Sequence, residues 1–154
     1  MATRVFNLMN GGIRFGHTLK TSAAAYFPGE FVKLDTTGST VTLSGSTAGT
    51  KPIGFLFGDR NTIYRPTTRV YDSGEIVNVV FGVGVVHMSV DLFDEAALPT
   101  TPGTTIYAAA SGLWTANVTS NKVGTYINTA IRQEAVGGVG VNQNLAVVQF
   151  AILP

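Results

Sequence analysis

The chain has 154 residues, of which 45% are hydrophobic and 12% are charged, and its formal net charge is +1. This length suits one domain with a sizeable core, and the composition excludes a disordered chain. Near-neutrality argues against a nucleic-acid or anionic-membrane partner, and the absence of cysteine removes disulfides and thiolate chemistry. The sequence contains neither an apolar run of ~20 residues nor a secretory signal, so we expect a protein that stays inside the cell that makes it.

The first 25 residues carry four cationic or potentially cationic side chains and no acid: Arg4, Arg14, His17 and Lys20. Their hydrophobic spacing keeps neither the period of a helix nor that of a strand. We predict an extended N-terminal arm over residues 1–25 that orders against a neighbour, followed by one β domain over residues 26–154. An ordinary N-terminal strand that completes the domain is an equally weighted alternative.

The β domain begins with a sequence pattern that occurs twice in the chain. A Pro-Gly corner, a strand-like run and a glycine turn occur in residues 28–38 and again in residues 102–112. Each copy is followed by a second strand that contains a glycine, at residues 53–55 and at residues 123–125. Because these runs have high strand propensity and end in turn residues, they indicate a small antiparallel β-barrel or sandwich.

Alternation and glycine placement predict further strands. They are expected over residues 40–44, 52–58, 75–90 and 145–153. The stretch 75–90 is too long for one flat strand, so Gly82 and Gly84 are expected to mark a bend that lets it serve two sides of a barrel. The last stretch is apolar on both faces and therefore needs two covers.

Little helix is predicted. Residues 91–98 are compatible with one short helix before Pro99. Residues 125–135 hint at a helical turn through the spacing of Ile127 and Ile131. The predicted fold class is mainly β, a small antiparallel β-barrel or sandwich with an extended N-terminal arm and at most one or two short helices.

The sequence offers no template for catalysis or metal binding. It lacks a nucleophile elbow and a Walker pattern, and His17 and His87 stand far apart without metal-ligand spacing. The acids Asp91, Asp94 and Glu95 match no calcium loop and suit a solvated face or a partner contact. We therefore expect no catalytic residue, no cofactor, no metal and no small-molecule substrate.

Residues 59–72 form a polar stretch that interleaves arginine with tyrosine: Arg60, Tyr64, Arg65, Arg69 and Tyr71. Such a pattern binds single-stranded nucleic acid by stacking, or it anchors a protein interface, where both residue types are enriched. Because the stretch holds only three arginines and the whole chain is nearly neutral, we favour the protein interface and expect no nucleic-acid partner.

This strand pattern resembles the small head decoration, or cement, proteins of tailed bacteriophages. The resemblance extends over residues 23–152, and the matching segments are Ala25–Val32, Lys51–Leu56, Gly74–Val79, Gly82–Val86, Pro102–Tyr107 and Val123–Gly124. Their common elements are glycine corners and β-branched positions. None of them is a catalytic signature.

The resemblance implies a β-rich domain, often a homotrimer, that docks on the outside of an expanded capsid. It would bind the major capsid protein at junctions between capsomers and resist the pressure of packaged DNA. Such a protein is made in the host cytoplasm and lies on the exterior of the virion. From the residues themselves we expect the interface at Arg4, Phe6, Arg14, Phe15, Arg60, Tyr64, Arg65 and Arg69.

Two other functions remain open from the sequence. The first is a carbohydrate- or host-surface-binding module of a phage fibre, in which Trp114, Tyr107 and Tyr126 would form a platform for stacking on sugars. For Trp114 itself we prefer an anchor in a core or an interface, where indole is often buried. The second is a component of a tail tube or another ring.

Overall fold

The computed structural model describes residues 5–19, 27–34, 40–43, 51–57, 76–136 and 139–153. This part of the chain contains nine strands: β1 Phe6–Leu19, β2 Phe31–Leu34, β3 Thr40–Leu43, β4 Gly54–Phe57, β5 Ile76–Met88, β6 Thr105–Ala108, β7 Trp114–Thr115, β8 Lys122–Val136 and β9 Val139–Ile152. A 3₁₀ turn spans Val90–Leu92. None of the described residues forms a helix long and apolar enough to cross a membrane. The predicted class, mainly β with very little helix, is confirmed.

All nine strands belong to one curled sheet, in the order β1-β3-β2-β4-β5-β9-β8-β6-β7. β1 also pairs with β5, so that β1, β3, β2, β4 and β5 close a ring. The pairing of β1 with β3 is parallel and the others are antiparallel. At the far end the chain before β7 returns to β2, where the N–H of Phe31 donates to the carbonyl of Gly112 (2.8 Å). The sheet therefore encloses its core as a barrel does.

The sequence pattern that occurs twice forms the same arrangement of strands in both places. The strand orders β3-β2-β4-β5 and β7-β6-β8-β9 correspond, and the two halves join where β5 pairs with β9. At the first corner the N–H of Gly29 donates to the carbonyl of Leu56 (2.6 Å), and at the second that of Gly103 donates to Tyr126 (2.8 Å). Both glycines have positive φ, 92° and 89°, which side chains disfavour.

Strands β2, β4 and β5 form a wall that is buried on both faces. On one face Phe55 and Val80 join the larger hydrophobic cluster, and on the other Leu56 and Val79 join a smaller one. All four side chains have 0% exposure. Because each fully buried side chain of this size stabilises the fold by roughly 1.5–3 kcal/mol, the wall concentrates stability in a few short strands.

Trp114 lies at the centre of the larger cluster. Its ring centroid is 4.4 Å from that of Phe31 and 5.8 Å from that of Phe55. Its indole Nε1–H donates to the carbonyl of Gly29 (2.7 Å), so the one polar atom of the ring is satisfied inside the core. The tryptophan thereby joins β7 to the first corner, and the core assignment that the sequence favoured for it is confirmed.

β5 changes partner at a glycine bend, as the sequence predicted. Its first half pairs with β4 at residues 78–80, and its second half pairs with β9 from Gly82 to Met88. Gly82 has φ of 90°, and the register against β1 shifts at this point. The bend lets one strand belong to both halves of the sheet.

Both predicted helical segments are wrong beyond the short 3₁₀ turn. Phe93 forms a β-bridge with Trp114, and the N–H of Asp94 donates to the Trp114 carbonyl (2.9 Å), which draws residues 93–98 away from helical geometry. Residues 125–135 lie within strand β8. In both segments tertiary pairing prevails over a weak local helical pattern.

Residues 6–19 of the predicted arm form β1, which pairs with β5 and, at Thr18 and Leu19, with β3. For these residues the structure has the strand of the second alternative. The register shift between Leu8 and Asn10 breaks the alternation, which explains why the sequence shows no strand period here. Residues 1–4 and 20–25 lie outside the described residues, and the division into an arm and a domain stays a prediction.

Candidate interaction surfaces

β8 and β9 continue well beyond the rest of the sheet. β9 pairs with β5 only from Ala146 to Ile152, and β8 pairs with β6 only from Lys122 to Thr125. Among the described residues, 130–136 and 139–145 therefore pair only with each other. We call these two segments the ribbon. At about 3.3 Å per residue, seven residues of strand give it a length of roughly 23 Å.

The described side chains at the base of the ribbon are largely exposed. Ile131 is 67% exposed, and Asn142 and Asn144 are exposed as well. A register shift between Tyr126 and Asn128 lies just before the point where β8 leaves the barrel. Because an isolated two-stranded hairpin is at best marginally stable in water, this element suits contact with another surface.

Arg14 and Ile13 are presented on β1. Ile13 is 58% exposed, and the guanidinium carbon of Arg14 lies 4.5 Å from the centre of the Phe57 ring. A cation–π contact at an exposed site is worth about 0.5–1 kcal/mol, enough to favour one position of the side chain. Arg14 therefore offers a positioned positive charge at the end of β4.

A groove lies where the start of β8, the end of β9 and the approach to β4 meet. It has a volume of about 400 Å³ and is lined by residues 51–52, 120–123 and 151–153. Lys51 and Lys122 are exposed along it, Leu153 is 63% exposed, and none of its described lining residues carries a carboxylate side chain. We call it the basic groove. It combines positive charge with an apolar lip.

A second polar surface, the acidic turn, comprises residues 91–97 and carries Asp91, Asp94 and Glu95. The hydroxyl of Ser111 donates to Oδ1 of Asp94 (2.7 Å). Oε1 of Glu95 accepts from the hydroxyl of Thr115 and from the N–H of Ala116 (2.9 Å). These bonds fix the turn against the β7 region. The carboxylates therefore sit on an ordered and exposed surface, as the sequence suggested for a partner contact.

The structure gives the predicted interface residues different positions. Phe6 is 1% exposed and packs edge-on against Phe55 at 5.2 Å, so its side chain serves the core. Phe15 pairs through its backbone with Val79. Arg14 is exposed on β1. The remaining predicted residues, Arg4, Arg60, Tyr64, Arg65 and Arg69, lie outside the described residues.

Two of the predicted residues lie near the end of β4. β4 ends at Phe57, which pairs with Asn78, while Arg14 pairs with Val80 two residues further along β5. Arg14 and Phe15 therefore lie across β5 from the end of β4. The ribbon and the basic groove were missed, because their residues come together only through long-range pairing.

Buried aromatics leave no tryptophan-centred platform for sugar stacking. Trp114 is 0% and Tyr126 3% exposed, and only Tyr107 of that trio is half-buried.

His87 is half-buried on β5, and desolvation lowers its pKa from the ordinary value of 6.5. Within the described ranges no three His, Asp or Glu side chains cluster in a way that could hold a metal ion.

Taken together, these features define a small β-barrel protein whose notable sites are surfaces for contact with other proteins. A family model described as structural cement protein (E217 gp24/Pam3 gp6) matches residues 11–151. The chain belongs to this family of structural phage cement proteins, which confirms the resemblance seen in the sequence. Family membership gives it a structural role in the phage capsid, in contact with capsid proteins. No curated protein matches the chain.

Proposed function

We propose that this protein binds the outer surface of the phage capsid at junctions between capsomers and stabilises the shell against the pressure of packaged DNA. Its partners are the major capsid protein and further copies of itself, in a homotrimer. It works without catalysis, cofactor or nucleic acid, and it reaches the virion exterior after synthesis in the host cytoplasm.

The ribbon is the observation that carries this proposal. It extends roughly 23 Å at strand spacing, pairs only with itself among the described residues, and exposes Ile131. A surface that is unstable alone and apolar in part gains most when another protein covers it. We assign the major capsid protein as that cover, because the family places the chain in the capsid.

A second attachment point makes reinforcement possible. The end of the barrel that holds Ile13 and Arg14 is distinct in sequence and in strand position from the ribbon. Attaching one rigid body to adjacent capsomers at two points multiplies affinity by about 10²–10⁴ without stronger individual contacts. Each cement subunit would then resist separation of the capsomers that it bridges. The predicted residues Arg14, Phe15 and those of the stretch 59–72 belong to this second contact.

The test shortens the ribbon while keeping the barrel. Replacing residues 131–144 by Asn-Gly joins Ala130 to Leu145, which are already a cross-strand pair, through a two-residue turn that suits a hairpin. Leu145 and Ala146 remain to fill the core. We expect a folded protein that no longer co-sediments with undecorated capsids and no longer raises their temperature of disruption.

Point variants give a matched control. Ile131→Ser changes an exposed apolar side chain on the ribbon, and Val118→Ser changes one that is 82% exposed in the loop before β8. We expect the first substitution to weaken capsid binding and the second to leave it unchanged. If the shortened protein protects capsids from heat as well as the full chain does, the ribbon is not the attachment element and the proposal fails.

A further inference from the structure

We propose that the basic groove of one copy receives the acidic turn of a second copy, so that neighbouring subunits associate head to tail. The inference concerns contacts between copies and does not depend on where the capsid binds. It rests on two complementary surfaces of the same chain. No contact within one copy neutralises either of them among the described residues.

The distribution of charge carries the first step. Of the five acids in the described residues, Glu30 is buried, Glu134 lies on the ribbon, and the other three are Asp91, Asp94 and Glu95 on one turn. Of the five described cations, Lys51 and Lys122 lie in the basic groove, and no acid is among its described lining residues. Three acids on one turn and two lysines in one groove are the pattern expected for complementary interfaces.

Shape carries the second step. Residues 94–97 are all exposed, so the acidic turn is convex, whereas the groove is concave. A volume of about 400 Å³ admits one turn of chain and not a domain. The turn is held in place by the bond from Ser111 to Asp94 and by those to Glu95, so little side-chain freedom is lost on binding.

The apolar lip adds to the charge pairing. Leu153 is 63% exposed beside the groove, and Val83, which is 54% exposed, pairs with Ala151 of the groove lining. Charges alone at a rim contribute mainly to the association rate and to register. Burial of this strip stabilises the contact by about 25 cal/mol per Å² of apolar surface. A contact between different patches is heterologous, and it closes into a ring when the rotation between subunits allows.

Charge reversal on both sides tests the contact. The groove variant is Lys51→Glu with Lys122→Glu, and the turn variant is Asp91→Lys with Asp94→Lys. Ser111→Ala is the control for the turn variant, because it removes the bond to Asp94 without changing the charge and should leave association unchanged. We expect the full chain to be oligomeric by size-exclusion chromatography with light scattering at about 0.1 M salt and to dissociate towards about 1 M, where the Debye length falls to roughly 3 Å. Each reversed variant alone should raise the dissociation constant at least about tenfold, because like charges then face each other.

Mixing the two variants is the decisive experiment. The acidic groove of one then meets the lysine turn of the other, and the original turn of the first meets the original groove of the second, so the two variants should form mixed complexes that neither forms alone. Because the variants must alternate, a ring of three keeps one mismatched contact, and the mixed complexes should be open chains or even-numbered rings. Lys33→Glu on β2 is the matched control, since it changes the net charge outside the groove and should leave association unchanged. Circular dichroism should report the same fold for every variant, because all of the substituted groove and turn side chains are exposed.

Three outcomes would overturn the proposal. In the first, the full chain runs as a monomer at every salt concentration. In the second, the reversed variants associate like the unmodified chain. In the third outcome the groove variant keeps its oligomeric state but loses binding to undecorated capsids. The acidic ligand of the groove would then be the capsid protein. Loss of capsid binding by the shortened ribbon alone would leave this inference untouched, which separates the two proposals.

Discussion

The wall of β2, β4 and β5 and the ribbon of β8 and β9 use the same backbone pairing for opposite purposes. In the wall, Phe55 and Leu56 are fully buried on opposite faces of one strand. In the ribbon, Ile131 is 67% exposed, and the strands pair only with each other among the described residues. Pairing alone thus gives a shape, whereas burial on two faces gives stability. A protein that must hold a shell needs a rigid body and an element left open for its partner.

The largest expected effect comes from the centre of the wall's larger cluster. Trp114→Ala removes the side chain that packs on Phe31 and Phe55 and leaves the carbonyl of Gly29 without its donor. We expect a loss of about 3–5 kcal/mol in the free energy of unfolding, measured by urea denaturation. Ile131→Ala on the ribbon should change it by less than about 0.5 kcal/mol. Equal losses would refute the contrast between the two regions.

A smaller effect is expected where the backbones of the wall approach closely. A Cβ on Gly54 would lie 2.3 Å from the carbonyl oxygen of Val80 in the neighbouring strand, so Gly54→Ala must push β4 from β5. We expect a loss of about 1–3 kcal/mol in unfolding free energy.

Gly103→Ala is the matched control for that clash. Nothing lies within 4 Å of a Cβ at Gly103, but its φ of 89° disfavours a side chain. The cost should therefore be the dihedral strain alone, about 1 kcal/mol. If the Gly103 variant were the less stable of the two, crowding in the wall would not be the dominant constraint.

The smallest effect concerns His87, which lies on β5 past the bend, where it pairs with Val147. Desolvation lowers its pKa in the folded state below the ordinary 6.5, so the unfolded chain takes up the proton more readily. The contribution of His87 to the free energy of unfolding is therefore fully present above pH 6.5, and it is lost as the pH drops below that value.

His87→Gln removes the contribution of this titration to the pH dependence of stability. The difference in urea midpoint between about pH 7.5 and about pH 5.5 should be smaller for the variant than for the unmodified chain, since glutamine does not titrate. The same acid dependence in both proteins would assign it to other groups.

The sequence was sufficient where local pattern and tertiary structure agree. The doubled Pro-Gly corner predicted two equivalent strand units, and Gly29 and Gly103 indeed make the same corner bond. The bend at Gly82 was visible because a long apolar strand with internal glycines has few other solutions.

The sequence was insufficient where pairing partners are distant. The register shift next to Ile127 interrupts the alternation of β8, so its residues show no regular strand period. The basic groove joins Lys51 to Lys122 through the strand order alone, which no local motif encodes. Deleting residues 1–20 to remove a supposed arm would take β1 out of the barrel, so it cannot test capsid attachment cleanly.

Amide hydrogen exchange on free and capsid-bound protein tests the central claim most directly, because it reads the wall and the ribbon separately. In the free protein we expect slow exchange at residues 54–57 and 77–80 and fast exchange at residues 130–136 and 139–145. Binding to undecorated capsids should slow exchange in the ribbon and leave the wall unchanged. Unchanged exchange in the ribbon, with new protection elsewhere on the barrel, would contradict the account.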